Sequence, residues 1–426
     1  MFYICPVGYN ILLALSVVVS LPFIWRKVKP DRKFPGRWKE RLAVYDRKTE
    51  ERLQERKNIW MHTVSIGEFL SVTPLIEQLQ KEKNENVVVT LATKTGRQVA
   101  EKKFPGIHHL FFPVDFYPVM KHAIRKINPK AIVIIETELW PNLLKIAHDD
   151  KIPVILLNGR ISPFSYPKYR RIRFFAKKLL PLFSAITMRT GDEAEKLIYL
   201  GADRSKVEIV GSMKFDLAYA MSRTINPSEV RKMLGISGDR RIVVFGSLHP
   251  EEEERIADIA ERILEKYADV TVVIVPRYLD RTRIYGILET RKIEYARRSG
   301  MPDGKDRRVI VGDTYGELNN FYSICEFAFV GASLYRWGGQ NPIEPTAFRK
   351  PVIFGIHHWH FKEEWSKIRA GGGGIEVESY AELYEETVRL LENPETCRQM
   401  GEKAYKVLLE NTGATTRNLS VLSRYL

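Results

Sequence analysis

Cysteine is scarce in this chain: three in 426 residues, at Cys5, Cys325 and Cys397. None belongs to a Cys-x-x-Cys pair and none has a histidine pair nearby. A zinc site and a disulfide framework therefore lack their ligands, and the pattern is that of a protein folded in a reducing compartment. Phosphate-binding signatures are missing too. Nothing matches GxxxxGKS or GxxxxGKT, and no complete GxGxxG follows a run that reads as a strand. No Asp-x-Asp occurs, which removes the simplest carboxylate pair for a metal–diphosphate complex. Short-period repeats and low-complexity tracts are absent, apart from the four glycines at 371–374.

Acidic residues are also in deficit, 52 against 67 basic, for a net charge of +15. Nucleic acid, anionic lipid or a phosphorylated substrate would each complement that excess; a solvated basic face is the plainer explanation. Hydrophobic content of 44% and charged content of 28% are ordinary for a globular protein. The length exceeds one typical core and suits two α/β domains.

Residues 7–25 contain no charged side chain. About 20 apolar residues are needed to cross a bilayer as a helix, so this stretch is just long enough. A basic cluster follows at Arg26, Lys27, Lys29, Arg32, Lys33, Arg37 and Lys39. By the positive-inside rule the body then lies in the cytoplasm, behind a single span. A cleaved signal peptide would carry its basic residues before the apolar run and small residues at a cleavage site. Here the charges lie on the other side and Pro22-Phe23-Ile24-Trp25 follows. An uncleaved anchor over 1–30 is the expectation, its basic cluster resting on anionic lipid.

Beyond residue 58 short Val- and Ile-rich runs alternate with amphipathic stretches. Runs at 59–64, 87–92, 131–136, 154–158, 185–188 and 207–211 read as buried parallel strands. A second series lies at 241–246, 270–276, 308–311, 327–331 and 351–355. Helical patterns such as 69–82 and 174–180 separate them, which implies parallel sheets covered by helices. The segment 212–227 has no strong period and reads as the linker. The expected domains are thus 31–215 and 216–426, the last helices being candidates to pack back on the first. In open α/β sheets ligands bind beyond the carboxyl ends of the strands, so the residues after each run are the ones to inspect.

His62-Thr63-Val64-Ser65-Ile66-Gly67-Glu68 follows the first run. Ser65 can act as an N-cap and Glu68 completes a capping-box spacing. The same spacing puts a carboxylate at the mouth of a cleft, with Gly67 allowing close approach to the backbone. After the third run come Glu136, Thr137 and Glu138, then a Pro-started helix. Two carboxylates there are costly unless solvated or paired. They can stabilise the helix start, hold a sugar hydroxyl or set the pKa of another carboxylate. After the fourth run, Asn158-Gly159-Arg160-Ile161-Ser162 leads into a basic–aromatic stretch with Lys168 and Arg170, able to dock phosphates or to form a basic surface helix.

The second series ends in comparable turns. Ser247, Leu248 and His249 precede four glutamates at a helix start, where backbone amides bind anions. Arg277 offers a guanidinium. Gly316 and Glu317 lie in another turn into a helix. Gly338-Gly339-Gln340-Asn341-Pro342-Ile343-Glu344-Pro345 suits a phosphate and ribose cradle. His357, His358 and His360 lack the i,i+4 spacing of a helical metal site.

Together these strings resemble the Kdo transferase family of Gram-negative bacteria (Kdo is 3-deoxy-D-manno-octulosonic acid). The matches are HTVSIGE at 62–68, ETELWPN at 136–142, NGRIS at 158–162 and GSMKFD at 211–216, then GSLHPEE at 246–252 and PR at 276–277. GDTYGEL at 312–318, GGQNPIEP at 338–345 and PVIFGIHHWHF at 351–361 complete the order. The resemblance implies a GT-B glycosyltransferase, two Rossmann-like domains facing a cleft behind an N-terminal transmembrane helix. It implies a CMP-Kdo donor, a lipid A precursor (lipid IVA) as acceptor, inversion at the transferred centre, and neither metal nor cofactor. Glu68 would be the general base, with Glu136 and Glu138 also catalytic. Ser247, His249, Arg277, Gly316, Glu317, Asn341, Glu344 and Lys214 would hold CMP. Ser65, Gly67, Arg160, Ser162, Lys168 and Arg170 would meet the acceptor. Gln340 departs from the family's GGHNPLEP, which mildly weakens any role assigned to that side chain. Two other readings stay open: a UDP-sugar enzyme of the same fold, and a membrane-anchored nucleotide- or RNA-binding protein without catalysis.

Overall fold

The computed structural model describes residues 8–10, 37–163, 165–237, 240–301 and 307–426. The chain forms two compact units, one of Met1–Met213 with Gly413–Leu426 and one of Lys214–Thr412.

The first unit is built on seven parallel strands: β1 Asn58–Thr63, β2 Val87–Leu91, β3 His108–Phe111, β4 Pro129–Ile135, β5 Val154–Gly159, β6 Ala185–Met188 and β7 Val207–Ile209. They lie in the order β3-β2-β1-β4-β5-β6-β7. A parallel sheet takes helices on both faces, so its strands need apolar residues at successive positions. That is what the sequence supplies. Trp60, Val88, Ile132, Ile134 and Leu156 pack into one helical layer, while Ile59, Met61, Val89, Val133 and Leu157 pack into the other. Register is fixed by pairs such as Ile59 with Val87 and with Ala131. The strand order reverses between β1 and β4, so the loops beyond those two strands diverge and leave a crevice.

The C-terminal helix Ala414–Ser423 belongs to this unit. Leu419, Val421 and Leu422 join the layer containing Ile155, Leu157 and Met213. The Thr187 hydroxyl donates to Asn418 Oδ1 (2.6 Å), and the Tyr425 hydroxyl donates to the Ser184 carbonyl (2.9 Å).

The second unit repeats the plan with β8 Arg241–Leu248, β9 Val270–Pro276, β10 Ala296–Arg297, β11 Val309–Val311, β12 Phe327–Val330, β13 Val352–Gly355 and β14 Gly374–Val377. All are parallel, in the order β10-β11-β9-β8-β12-β13-β14. Here the reversal falls between β8 and β12.

Three strands lie outside the eleven runs expected from sequence: β3, β10 and β14. Each is at the edge of its sheet. An edge strand needs less apolar surface, so β3 carries His108 and His109, β10 is two residues long, and β14 begins on the last glycine of the 371–374 tract. The helical pattern over 69–82 is broken into Ile66–Ser71 and Thr73–Lys81. Val72 leaves the helical region between them, and Pro74 removes a backbone donor.

The apolar span expected at 7–25 lies outside the described residues except for 8–10. There Asn10 Nδ2 donates to Asn142 Oδ1 (3.1 Å), Asn142 Nδ2 donates to Asn10 Oδ1 (3.0 Å), and the Tyr117 N–H donates to the same oxygen (3.1 Å). Among the described residues no helix is long and apolar enough to cross a membrane.

The return of the C-terminal helix makes a testable point. Leu422 is fully buried, so Leu422→Ala should cost about 2–4 kcal/mol, as at an interior core position. Urea unfolding read on the first unit checks this; a loss below about 0.5 kcal/mol, typical of surface substitutions, would contradict the packing.

Candidate active site

Glu68 lies in the first turn of the helix Ile66–Ser71, which follows β1. Ser65 caps the helix Ile66–Ser71, its hydroxyl oxygen accepting from the Glu68 N–H (3.2 Å). The same hydroxyl donates to Glu68 Oε1 (2.9 Å), and the Val64 N–H donates to Oε2 (2.7 Å). The capping arrangement and the functional arrangement are thus one structure. It grips both carboxylate oxygens while the group stays half-buried. Gly67 is exposed, and a Cβ there would meet only the Ser65 hydroxyl oxygen, at 3.9 Å, so the backbone here is accessible.

Glu136 sits directly after β4 in the left-handed region, at φ +61°. A non-glycine residue there carries strain that its surroundings must hold. Its N–H donates to the Leu157 carbonyl (3.0 Å) and its carboxylate pairs with Arg189. Two residues on, Glu138 turns into the same space. With Thr137, Arg160, Ser162, Ser165 and Tyr169, these three glutamates line a cavity of about 210 Å³. Hydrogen bonds fasten its walls. The Arg160 N–H donates to Thr137 Oγ1 (3.0 Å), the Tyr169 hydroxyl to the Thr137 carbonyl (3.1 Å), and the Ser162 hydroxyl to Ser165 Oγ (2.9 Å).

Three carboxylates in one partly dry cavity raise one another's proton affinity. Burial first, then the charge of Glu136, raises the Glu68 pKa, opposed by the bonds from Val64 and Ser65. Burial, with the charges of Glu68 and Glu136 adding, pushes Glu138 up to about 7. Burial and the charge of Glu138 raise the Tyr169 hydroxyl. The cavity therefore combines a carboxylate held by two donors with a second one able to carry a proton near neutral pH, a division of the kind acid–base sites use.

Ser65 reaches this site through Glu68. Lys168 and Arg170 do not line the cavity; they are exposed on the adjoining helix Tyr166–Arg171.

In the second unit the expected residues gather at the ends of β8, β9, β11 and β12. Ser247, at φ +56°, and Ala332, at φ +61°, are both in the left-handed region. The buried Glu252 lies between them: one of its oxygens accepts from the His249 N–H (3.0 Å) and the Ala332 N–H (2.7 Å). Burial, against those two bonds, pushes this carboxyl up to about 7. The His249 ring lies between Tyr278 and Trp337, at 5.2 and 5.0 Å between centroids, and burial lowers its pKa. Gln340 Nε2 is 3.5 Å from His249 Nε2.

Arg277 is exposed, anchored by its N–H donating to the Leu248 carbonyl (2.7 Å). Asn341 accepts from the Ile343 N–H (3.2 Å) and donates to Glu344 Oε1 (2.9 Å), which closes the turn before Ile343–Thr346. Burial raises the Glu344 pKa, with the Arg277 charge opposing. Gly316, at φ +85°, is exposed, and a Cβ there would meet nothing within 4 Å. Glu317 is already engaged by Arg298 (2.8 Å) and by the Thr314 hydroxyl. Lys214 lies over the Phe361 ring at 4.9 Å. Among the described residues no group of three or more His, Cys, Asp or Glu is arranged to hold a metal ion. His358 Nδ1 is 3.2 Å from the Gly355 carbonyl oxygen.

Arg189, Tyr169 and Glu252 were absent from the residues picked out of the sequence. Arg189 immediately follows the 185–188 run, so the strand-end rule pointed to it. Tyr169 was masked by the basic residues around it, and Glu252 by its place among four consecutive glutamates.

Glu138 gives a stability test. Its folded pKa lies above the ordinary carboxyl value, so its ionisation costs stability as pH rises through the range up to about 7 and costs nothing below it. Glu138→Gln should therefore raise stability at pH 8, by about 1 kcal/mol after solvent screening, and leave it unchanged at pH 4. Equal shifts in melting temperature at both pH values would contradict the burial of this group.

Comparison with known proteins bears on which chemistry this site serves. The sequence profile of the 3-deoxy-D-manno-octulosonic-acid transferase (kdotransferase) family matches residues 36–217. The 3-deoxy-D-manno-octulosonic acid transferase of Haemophilus influenzae is 32% identical over 98% of both chains. Among solved structures, a glycosyltransferase from Rickettsia africae superposes with a TM-score of 0.59 at 14% identity, covering 87% of this chain and 98% of that one. The UDP-GlcNAc 2-epimerase of Neisseria meningitidis gives 0.61 at 15%, covering 86% and 100%. These two likenesses show a GT-B-like α/β fold and nothing further. The full-length match at 32% identity, together with a carboxylate site built from the motifs at 62–68 and 136–142, identifies the family: the chain belongs to the 3-deoxy-D-manno-octulosonic acid transferases.

Proposed function

We propose that the chain transfers Kdo from CMP-Kdo to a lipid A precursor, in lipopolysaccharide biosynthesis, with Glu68 as general base. The carrying observation is the grip on Glu68. Both its oxygens accept hydrogen bonds, from the Val64 N–H and the Ser65 hydroxyl, at the rim of a cavity holding two more carboxylates. Such a group is oriented, half-dehydrated and ready to accept a proton.

In this reading the acceptor hydroxyl enters the 210 Å³ cavity. Glu68 takes its proton as the oxygen attacks the anomeric carbon of Kdo. The bond from that carbon to the CMP phosphate oxygen breaks, and CMP leaves with the electron pair. Direct displacement with one base inverts the centre. The second unit carries the groups suited to the leaving phosphate: the exposed Arg277 guanidinium, the Ser247 hydroxyl and Asn341. Donors already aimed at a developing charge need no reorganisation as it appears. Asn341 and Glu344 offer partners for ribose hydroxyls, and no step requires a metal. Lys168 and Arg170, exposed beside the cavity, supply cationic partners for phosphates on the acceptor. We place the body at the cytoplasmic face of the inner membrane, on the strength of the apolar stretch at 7–25 and the basic cluster behind it.

Two predictions follow from the carboxylates. General-base help is typically worth about 10²–10⁴-fold, so Glu68→Gln should lose that much in kcat while staying folded. The assay is Kdo transfer from CMP-Kdo to a tetraacylated lipid A precursor, read by mass spectrometry with EDTA present. No adduct from the parent chain, with binding of UDP but not CMP, would replace the donor assignment with a UDP-sugar.

The pH dependence has a definite sign. The Glu68 pKa is raised, so activity should fall on acidification through a limb above the ordinary glutamate range. Glu136→Gln removes one of the charges that raises it, so that limb should move to lower pH. An unmoved limb would mean that Glu136 does not act on the titrating group.

A further inference from the structure

Arg189 follows β6, and its side chain is only 3% exposed. Its N–H donates to the Gly159 carbonyl at the end of β5 (3.2 Å), and its guanidinium pairs with Glu136 at the end of β4. Because β5 lies between β4 and β6, this ion pair ties together two strand ends across the one that separates them. Residue 159, on the intervening strand, is a glycine. A Cβ there would stand 2.8 Å from the Thr187 carbonyl oxygen, so no larger residue fits at that end of β5.

The pair joins two expensive features. A guanidinium this dry is unfavourable without a charged partner. A glutamate at φ +61° persists only where its surroundings dictate it. Strained, over-determined residues of this kind are a mark of functional sites. The pairing is also selective. Glu136, Glu138 and Glu68 share one cavity, yet the buried cation pairs with Glu136. Glu68 is held instead by neutral donors, Val64 and Ser65. A lone cation directed at Glu68 would weaken it as a base. Directed at Glu136, it compensates a neighbouring charge and leaves the base untouched.

We propose that Arg189 is a positioning residue for the transfer reaction: by pinning Glu136 to the end of β4 it fixes the charge and shape of the wall facing Glu68. This rests on the proposed role of Glu68. The groups that face the three carboxylates are Ser65 from the first turn, Thr137 from the β4 loop, Arg160, Ser162, Ser165 and Tyr169 from the segment after β5, and Arg189 from behind.

The test uses the full chain with Arg189→Gln, Arg189→Lys, Glu136→Gln and the double variant Arg189→Gln/Glu136→Gln. If Arg189 acts through Glu136, Arg189→Gln lowers kcat by about tenfold or more with KM for CMP-Kdo within about twofold of the parent. Arg189→Lys, which keeps the charge, recovers part of the loss. The double variant is no slower than Glu136→Gln alone, because coupled residues are non-additive. A second readout needs no turnover. In glutamate-labelled protein, the Glu136 carboxyl followed by 13C NMR should titrate at higher pH in Arg189→Gln than in the parent, because a favourable positive charge is gone. Additive losses, or a Glu136 titration that does not move, would overturn the proposal. If Arg189→Gln fails to fold, Arg189→Lys and the double variant, which removes both charges at once, decide it. A parent chain without Kdo transfer would remove the assigned reaction, while the NMR titration would still decide whether Arg189 pins Glu136.

Discussion

Burial of both faces of each parallel sheet leaves polar chemistry only at the ends of the strands. The interiors of β2 and β9 are wholly buried, and the helical layers on either side are apolar. Among the central strands a charged group stands only near a strand's end, and mid-strand charges such as Glu208 and Glu376 fall on the edge strands β7 and β14. Glu136 and Arg189 each lie just beyond a strand and Glu68 in the helix turn that follows one, while in the second unit Ser247 is the next-to-last residue of β8 and Arg277 and Ala332 follow β9 and β12. The reversal of strand order between β1 and β4 then decides which of these ends meet. Glu68 and Glu136 share a cavity because β1 and β4 are neighbours whose following loops part.

That placement creates the electrostatics. Glutamates brought together at half-exposed strand ends raise one another's proton affinity, and the fold answers each in a different way. Glu68 receives neutral donors, Glu136 a buried guanidinium, and Glu138 is pushed up to about 7 by burial and the other two charges. Residues of one chemical type thereby become three different groups. The second unit uses a related device. There one buried carboxylate, Glu252, accepts from the backbone of two loops that contain left-handed residues, and so holds the loops after β8 and β12 together.

Much of this was legible in the sequence because the central strands are mostly apolar runs, such as Val87–Leu91 and Val270–Pro276. Three of the four edge strands were not, β7 being the exception. β3, β10 and β14 have less surface to bury, so His108, His109 and the glycine tract can occupy them without an apolar signature. Glu68, Glu136 and Glu138 were visible because a strand-end rule applies to them whatever their partners. The partners were harder to see. Arg189 is 53 residues from Glu136 in sequence, and only the order of strands brings the two together. Tyr169 reads as part of a basic run, although its hydroxyl turns inward to Thr137. Conversely, Glu317 fits a nucleotide-binding turn by sequence, and the structure shows its carboxylate taken by Arg298 and Thr314.

Central to this account is one base, Glu68, acting in a direct displacement at the sugar. The anomeric configuration of the transferred residue tests that most directly, by NMR comparison of the purified product with the donor. A single displacement assisted by one carboxylate predicts inversion. Retention of configuration would contradict it, because it requires a second displacement or a nucleophile that the assigned roles of Glu68, Glu136 and Glu138 do not include.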